Sequence, residues 1–208
     1  MPRPRTPLLD RGRIRAAALA AVDRDGLAGL SMRRLAADLG VQAPSLYSHY
    51  RTKDELLADV ADDIVSAVDV GDFAADWVGG LRTWARSYRA ALAAHPNLVP
   101  VHAAGPARRA AALERADAVH GGLVGAGWPP RYATMIGAST KYLVLGAAMS
   151  SFARGFEDDV QVYLDRYPHL DQAHRLREHA EEIDADSFEL ALDAFLRGLA
   201  ELHARVRV

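Results

Sequence analysis

Apolar residues recur three and four positions apart along almost the whole chain. No run alternates apolar with polar residues between hairpin turns, so the pattern predicts an all-α protein. Leu9–Asp25 carries Ile14, Ala17, Ala18, Ala21 and Val22 at helical spacing and is stopped by Gly26. Ser31 is placed to cap a short helix bearing Leu35, Ala36 and Leu39, which ends at Gly40. A second short helix runs from about Ala43 to Tyr50, with Pro44 in its first turn. A fourth starts near Lys53 and continues through Leu57, Val60, Ile64 and Val68 towards Gly71, with Asp54 and Glu55 complementing its dipole.

Longer helices follow. Trp77–Ala94 places Leu81, Trp84, Tyr88 and Leu92 on one stripe, and Ala107–Val124 ends before Gly127-Trp128-Pro129-Pro130. Arg131–Ala153 is apolar over much of its circumference and is expected to be buried on more than one side. Asp158–Ile183 reads as a charged helix interrupted near Tyr167-Pro168, and Asp186–Arg205 as the last helix. These boundaries divide the chain into a disordered basic arm (1–8), a three-helix head (9–53) and a larger helical body (54–208).

Composition narrows the chemistry. The 208 residues contain no cysteine, which excludes disulfides, thiolate metal sites and a cysteine nucleophile. No apolar run approaches the ~18 residues of a membrane span, so no membrane partner is expected. The opening Met-Pro-Arg-Pro-Arg-Thr-Pro lacks the apolar stretch of a secretory signal, and the cytoplasm is the expected compartment. The net charge of −2 conceals an asymmetry. Residues 1–53 hold 10 Lys/Arg against 4 Asp/Glu (+6), and residues 54–208 hold 15 against 23 (−8). A basic module on an acidic body suggests a polyanion at one end only.

The short pair Ser31–Tyr50 locates that end. Neither helix could bury a core alone. Ala36 is small where they would cross, Gly40 permits the positive φ of a tight turn, and Val41 and Leu46 point inward. This is the logic of a helix-turn-helix, whose second helix enters a major groove. Ser31 and Arg33 lie on the outward side, and Arg33 can fork onto guanine or phosphate. Gln42 and Ser45 can hydrogen-bond bases or phosphate, and Ala43 and Pro44 can meet a thymine methyl. Tyr47, Ser48 and His49 can donate to phosphate oxygens, and Lys53 can reach the backbone. An ordinary αα-corner with a solvated polar face has the same spacing.

The residues themselves decide between these. Leu30-Ser31-Met32-Arg33-Arg34-Leu35-Ala36, Leu39-Gly40-Val41, Pro44-Ser45-Leu46-Tyr47, His49-Tyr50 and Lys53-Asp54-Glu55-Leu56-Leu57 resemble the TetR-family DNA-binding domain. The similarity continues weakly through Trp77, Leu81, Tyr88, Ala91-Leu92, His95 and Val101-His102, in the order of the tetracycline-repressor class. The resemblance implies a base-reading role for Arg33, recognition-helix contacts for Pro44, Ser45, Tyr47 and His49, and a phosphate contact for Lys53. The chain departs at Ala43 and Ser48, where that class has glutamine and tryptophan, so a different operator is implied.

In the body, Phe188, Leu192, Phe195, Leu199, Leu202 and Val206 are separated by 4, 3, 4, 3 and 4 residues, the period of a bundle seam. Such a stripe can equally face the protein's own core. Relatives pair their last helix and the equivalent of Arg131–Ala153 with symmetry mates. Gly137, Ala147, Phe188, Leu192, Phe195, Leu199 and Leu202 are therefore the candidates for a homodimer interface. A homodimer would read a palindromic operator in double-stranded DNA.

The resemblance also implies an effector pocket among the middle helices, with Trp84, Tyr88, His102, Trp128, Thr134, Met135 and Lys141 as candidates. These residues suit a small hydrophobic or aromatic molecule. Of the magnesium ligands of the tetracycline repressor only His102 has a counterpart. A threonine is replaced within Ala103–Gly105 and an acidic ligand falls near Ser150, so neither metal nor cofactor is expected. His169, His174 and His179, five apart, do not share a helical face and are expected to be solvated. No Glu-x-x-His, His-Glu-x-x-His or Gly-x-Ser-x-Gly supports an enzyme, although a lone Asp171-x-x-His174 is present. The expectation is a ligand-responsive repressor that releases its operator when the effector binds, with helix four as the lever. An activator or corepressor-dependent form is the alternative. A helical-bundle enzyme and a ligand-free architectural DNA binder are the rival classes.

Overall fold

The computed structural model describes residues 9–71, 73, 76–104, 110–164 and 166–207. The arm 1–8 and residues 105–109 lie outside them. The described residues contain helices and turns and no strand. They form two compact units, Met1–Ala67 with Ala91–Arg108, and Val68–Ala90 with Arg109–Val208.

The first unit is built on α1 (Arg11–Gly29), capped by Asp10, whose carboxylate accepts from Arg13 N at 2.8 Å. Gly26 leaves the helical region with φ 70°, which is the predicted stop. Next come α2 (Met32–Asp38) and α3 (Ala43–Tyr47). Ser31 caps α2 by accepting from Arg34 N at 3.2 Å. The helix closes on Gly40 at φ 68°, with Val41 N donating to Ala36 O (2.9 Å) and Gly40 N to Ala37 O (3.1 Å). That pair of bonds is a Schellman cap, which needs the left-handed glycine.

Helix α4 (Lys53–Ile64) is capped by Thr52 and lies against α1, burying Leu56, Leu57 and Val60. It ends at Ile64, short of the expected extension towards Gly71. The unit runs past residue 53 because residues 91–104 return to it. A 3-10 turn (Pro96–Leu98) docks on α1, and α6 (Val99–Ala104) docks on α4. Leu98 is fully buried among Ile14, Val22, Leu35, Leu46, Tyr50 and Leu56 in one core cluster. Asn97 donates to Val22 O at 2.9 Å, and His95 Nδ1 lies 2.9 Å from the Asp23 carboxylate.

The second unit holds most of α5 (Trp77–Ala93), α7 (Ala110–Gly125), α8 (Pro130–Met149) and α9 (Ala180–Val206). A second Schellman cap, on Gly127 at φ 93°, ends α7 just before Pro129 and Pro130 start α8. An ion ladder joins α5 to α9, with Arg82 on Asp193 and Arg86 bidentate on Glu189 at 2.6 and 3.0 Å. Arg89 lies 4.8 Å over the Phe188 ring. Phe73 is buried where glycines make room. A Cβ on Gly80 would meet its ring at 3.0 Å, and a Cβ on Gly122 would meet its Cβ at 2.3 Å.

Among the described residues, short 3-10 turns stand at Ala153–Gly155, Val160–Val162 and Ala173–Arg175, the last two inside the Asp158–Ile183 stretch where a charged helix was expected. Local side-chain bonds compete with a helix here. The Asp159 carboxylate accepts from Gln161 N at 2.9 Å, and the Tyr163 hydroxyl accepts from Glu157 N at 2.7 Å. The last helix starts at Ala180, six residues earlier than its pattern suggested, with Glu181 and Glu182 suiting its N-terminal dipole.

Candidate nucleic-acid interface

The α2–α3 pair turns its apolar side inward and a mixed polar side outward. Met32, Leu35, Ala36 and Leu46 are buried, while Ser31, Arg33, Gln42, Pro44, Ser45, Tyr47 and Ser48 are exposed. Tyr47 is 52% exposed, a large aromatic held in water by a five-residue helix with no core reason to hold it there. Ala43 and His49 are half-buried.

Hydrogen bonding sorts these side chains further. Ser31 already accepts a backbone N–H, which leaves its own hydrogen to donate. Ser48 Oγ donates to Ser45 O at 2.7 Å, so its proton is committed, in contrast to the phosphate donation expected of it. Lys53 Nζ donates to Leu27 O at 2.7 Å, bracing the α1–α2 turn. Arg34 meets Asp25 at 2.8 Å. Hydrogen bonds from Arg24, with the charge of Arg34 beside it, hold the Asp25 carboxyl below the usual carboxylate range.

Behind the reading face, a polar network ties α1 to α4. The Tyr50 hydroxyl donates to the buried Asp59 carboxylate, and Arg15 lies 3.6 Å from Asp59 and 3.3 Å from Asp63. Burial works against the Arg15 charge, but Asp63 and the Tyr50 hydroxyl outweigh it and raise its pKa. Arg11 caps the cluster, donating to His49 O at 2.7 Å and lying 4.8 Å over the Tyr50 ring.

The effector candidates separate into groups. Trp84 and Tyr88 stack, with ring centroids 6.2 Å apart and planes 22° apart. Trp128 is buried among Trp77 (5.2 Å), Tyr132 (6.1 Å) and His203 (4.7 Å), and its indole N–H has no acceptor among the described residues. Trp77 and His203 were missed because single aromatics at the ends of two distant helices show no pattern in sequence. Lys141 is half-buried on α8, and His102 is half-buried on α6, in the first unit. Thr134 and Met135 are exposed on α8, so they line no interior of the second unit.

The dimer candidates divide in the same way. Phe188, Leu192 and Leu199 are buried in the chain's own interior, so their 3.5-residue stripe is the inward face of α9. Gly137, Ala147, Phe195 and Leu202 are half-buried. On α8 and α9 the large apolar residues left exposed are Met135, Tyr142 and Met149, seven apart, and Leu190, while Leu113, Val124, Phe152, Val162, Leu164, Tyr167 and Leu170 are exposed elsewhere in the second unit. His169 and His179 are exposed as expected, but His174 Nδ1 is buried without a partner. Among the described residues no three His, Asp or Glu side chains gather as a metal site would require, and no helix is long and apolar enough to cross a membrane.

The family model described as bacterial regulatory proteins, tetR family, matches residues 14–60. A second, described as tetracyclin repressor-like, C-terminal domain, matches residues 71–203. The chain belongs to the TetR family. Proteins of that family are DNA-binding transcriptional regulators and not enzymes. Class C tetracycline repressor of Escherichia coli is 33% identical over 148 residues, 70% of this chain and 67% of that one. A possible TetR family regulator of Streptomyces coelicolor A3(2) is 30% identical with a TM-score of 0.77, covering 93% of this chain and 100% of that one. The TetR family protein ActR of Streptomyces coelicolor, solved in complex with actinorhodin, is 26% identical with a TM-score of 0.74, covering 93% and 98%. The chain spans between 43% and 67% of the length of the first three curated relatives it matches.

Proposed function

We propose that this TetR-family regulator is a homodimeric repressor that releases a palindromic operator when a planar, largely apolar small molecule binds its body. The observation that carries the reading is the division of its outward residues. The head exposes donors and one aromatic on a five-residue helix, while the body exposes an apolar stripe on α8, Met135, Tyr142 and Met149, and Leu190 on α9. Isolated exposed apolar side chains are ordinary, but a seven-residue repeat on a rigid helix suits a symmetric helix-to-helix contact. Two copies joined there would carry two reading heads to half-sites about one DNA turn apart.

The stacked Trp84 and Tyr88 offer flat apolar surface to a ring system. A relative's complex with actinorhodin favours the same ligand class. A tetracycline–magnesium chelate is not the effector in this reading, since His102 is the only counterpart of that site. Effector binding shifts the population towards a conformer whose heads no longer match the operator. That requires affinities for the two states differing by ~1–3 kcal/mol.

The test is selection of bound fragments from a random duplex pool at near-physiological salt, followed by release assays with fused-ring aromatic compounds and with tetracycline–magnesium. An enriched palindrome released by the aromatic compounds is the expected result. Binding without enrichment would mark an architectural DNA binder, and no retention even at low salt would overturn the reading.

A further inference from the structure

The described part of the head, residues 9–53, contains eight cationic side chains, and most are committed within the protein. Arg11 serves His49 O, Glu55 and the Tyr50 ring. Arg15 serves Asp59 and Asp63. Arg24 and Arg34 share Asp25, and Arg13 is engaged as well. The Lys53 ammonium, implied by family resemblance to hold a phosphate, is half-buried and donates to Leu27 O at 2.7 Å. The guanidinium groups of Arg33 and Arg51 are exposed and make no hydrogen bond or ion pair among the described residues. Arg33 has a role already, in reading bases. Arg51 has none.

Arg51 stands two residues beyond His49 and one before the Thr52 cap of α4, in a loop held from three sides. Its own backbone N–H donates to Glu55 Oε2 at 2.8 Å, the His49 carbonyl accepts from Arg11 at 2.7 Å, and Lys53 is tied to Leu27. We infer that Arg51 is the phosphate-holding cation at the end of the recognition helix and that Lys53 is a positioning residue which braces the loop presenting it. A free guanidinium on a pre-ordered backbone engages a phosphate without breaking an internal pair or ordering a loop. Lys53 would have to share its ammonium with the carbonyl whose position sets the α1–α2 turn.

This rests on the DNA-binding reading, and salt dependence separates the two. Full-length wild type, Arg51→Gln and Lys53→Met would be titrated into the selected duplex and into a random-sequence duplex, from 50 to 200 mM salt. Each lost phosphate contact lowers the slope of log affinity against log salt by about 0.9. Arg51→Gln should therefore weaken both duplexes alike while keeping the preference for the selected one. Its affinity loss over that salt range should be roughly 3- to 4-fold smaller per binding head than that of wild type. Lys53→Met should keep the wild-type slope and show a lowered thermal midpoint. A wild-type slope in Arg51→Gln, or a reduced slope in Lys53→Met at an unchanged midpoint, would overturn the assignment. Failure of wild type to bind either duplex would instead overturn the regulator reading on which it depends.

Discussion

The head and the body treat their polar and apolar groups in opposite ways. In the head, short helices close one core around Leu46 and Leu98, and nearly every charge behind the reading face has a partner. Among its described residues, the buried polar atom without a hydrogen bond, Arg15 Nε, still lies 3.3 Å from Asp63. Among the described residues, the body leaves Trp128 Nε1, Arg89 Nε and His174 Nδ1 in that state, and it shows large apolar residues on the outside of α8 and α9. Buried polar atoms without hydrogen-bond partners cost free energy unless something supplies the partner. A groove reader gains from being finished before it meets DNA, whereas the proposed sensor gains from groups that a second copy and an effector complete.

The contrast can be broken most forcefully on the outer face of α8. Tyr142→Glu leaves the monomer folded, since the side chain is 71% exposed, but places charge in the proposed dimer contact. Sedimentation should show monomers, and operator affinity should fall on the order of 100-fold as the two heads lose their linkage. An unchanged dimer would remove α8 from the interface. Next in size is Leu98→Ala, expected to cost about 2–5 kcal/mol through the cavity it leaves in the head core. Chemical denaturation should show the head losing its cooperativity first, although residue 98 is far from the reading helices in sequence.

Arg33→Ala sharpens the comparison at the DNA. It should cost roughly 1–3 kcal/mol on the selected operator and relax preference at one base step. Equal loss on random DNA would make Arg33 a phosphate contact. The smallest effect is in the body, where the hydrogen bond and charge of Arg82 lower the Asp193 pKa. A carboxyl with a depressed folded pKa contributes stability above its ordinary value and loses it as pH falls through the folded value. The thermal midpoints of wild type and Asp193→Asn should therefore converge towards the acid end. A gap that persists below the folded value would point to packing instead.

Legibility followed the range of the interactions. Ser31, Gly40 and Gly26 act within a few residues of themselves, so their caps and turns could be read from sequence. The spacing of Phe188, Leu192 and Leu199 correctly put them on one face. Period alone does not say what covers a face, and here the chain's own core does. The 158–183 stretch misled because charge periodicity looks helical, while Asp159 and Tyr163 satisfy the backbone locally. The sequence points Lys53 towards a phosphate, but its bond to Leu27 O, 26 residues earlier, has no local signature.

Leu98 carries a consequence for anyone transplanting this reading head onto another sensor. A graft cut at residue 53, or even after α4, would leave behind the side chain that fills the centre of the head. It would also lose the Asn97 amide that satisfies Val22 O and the imidazole that faces Asp23. A modular exchange must carry two separate stretches of chain, or supply a substitute plug, because this module is not contiguous in its gene.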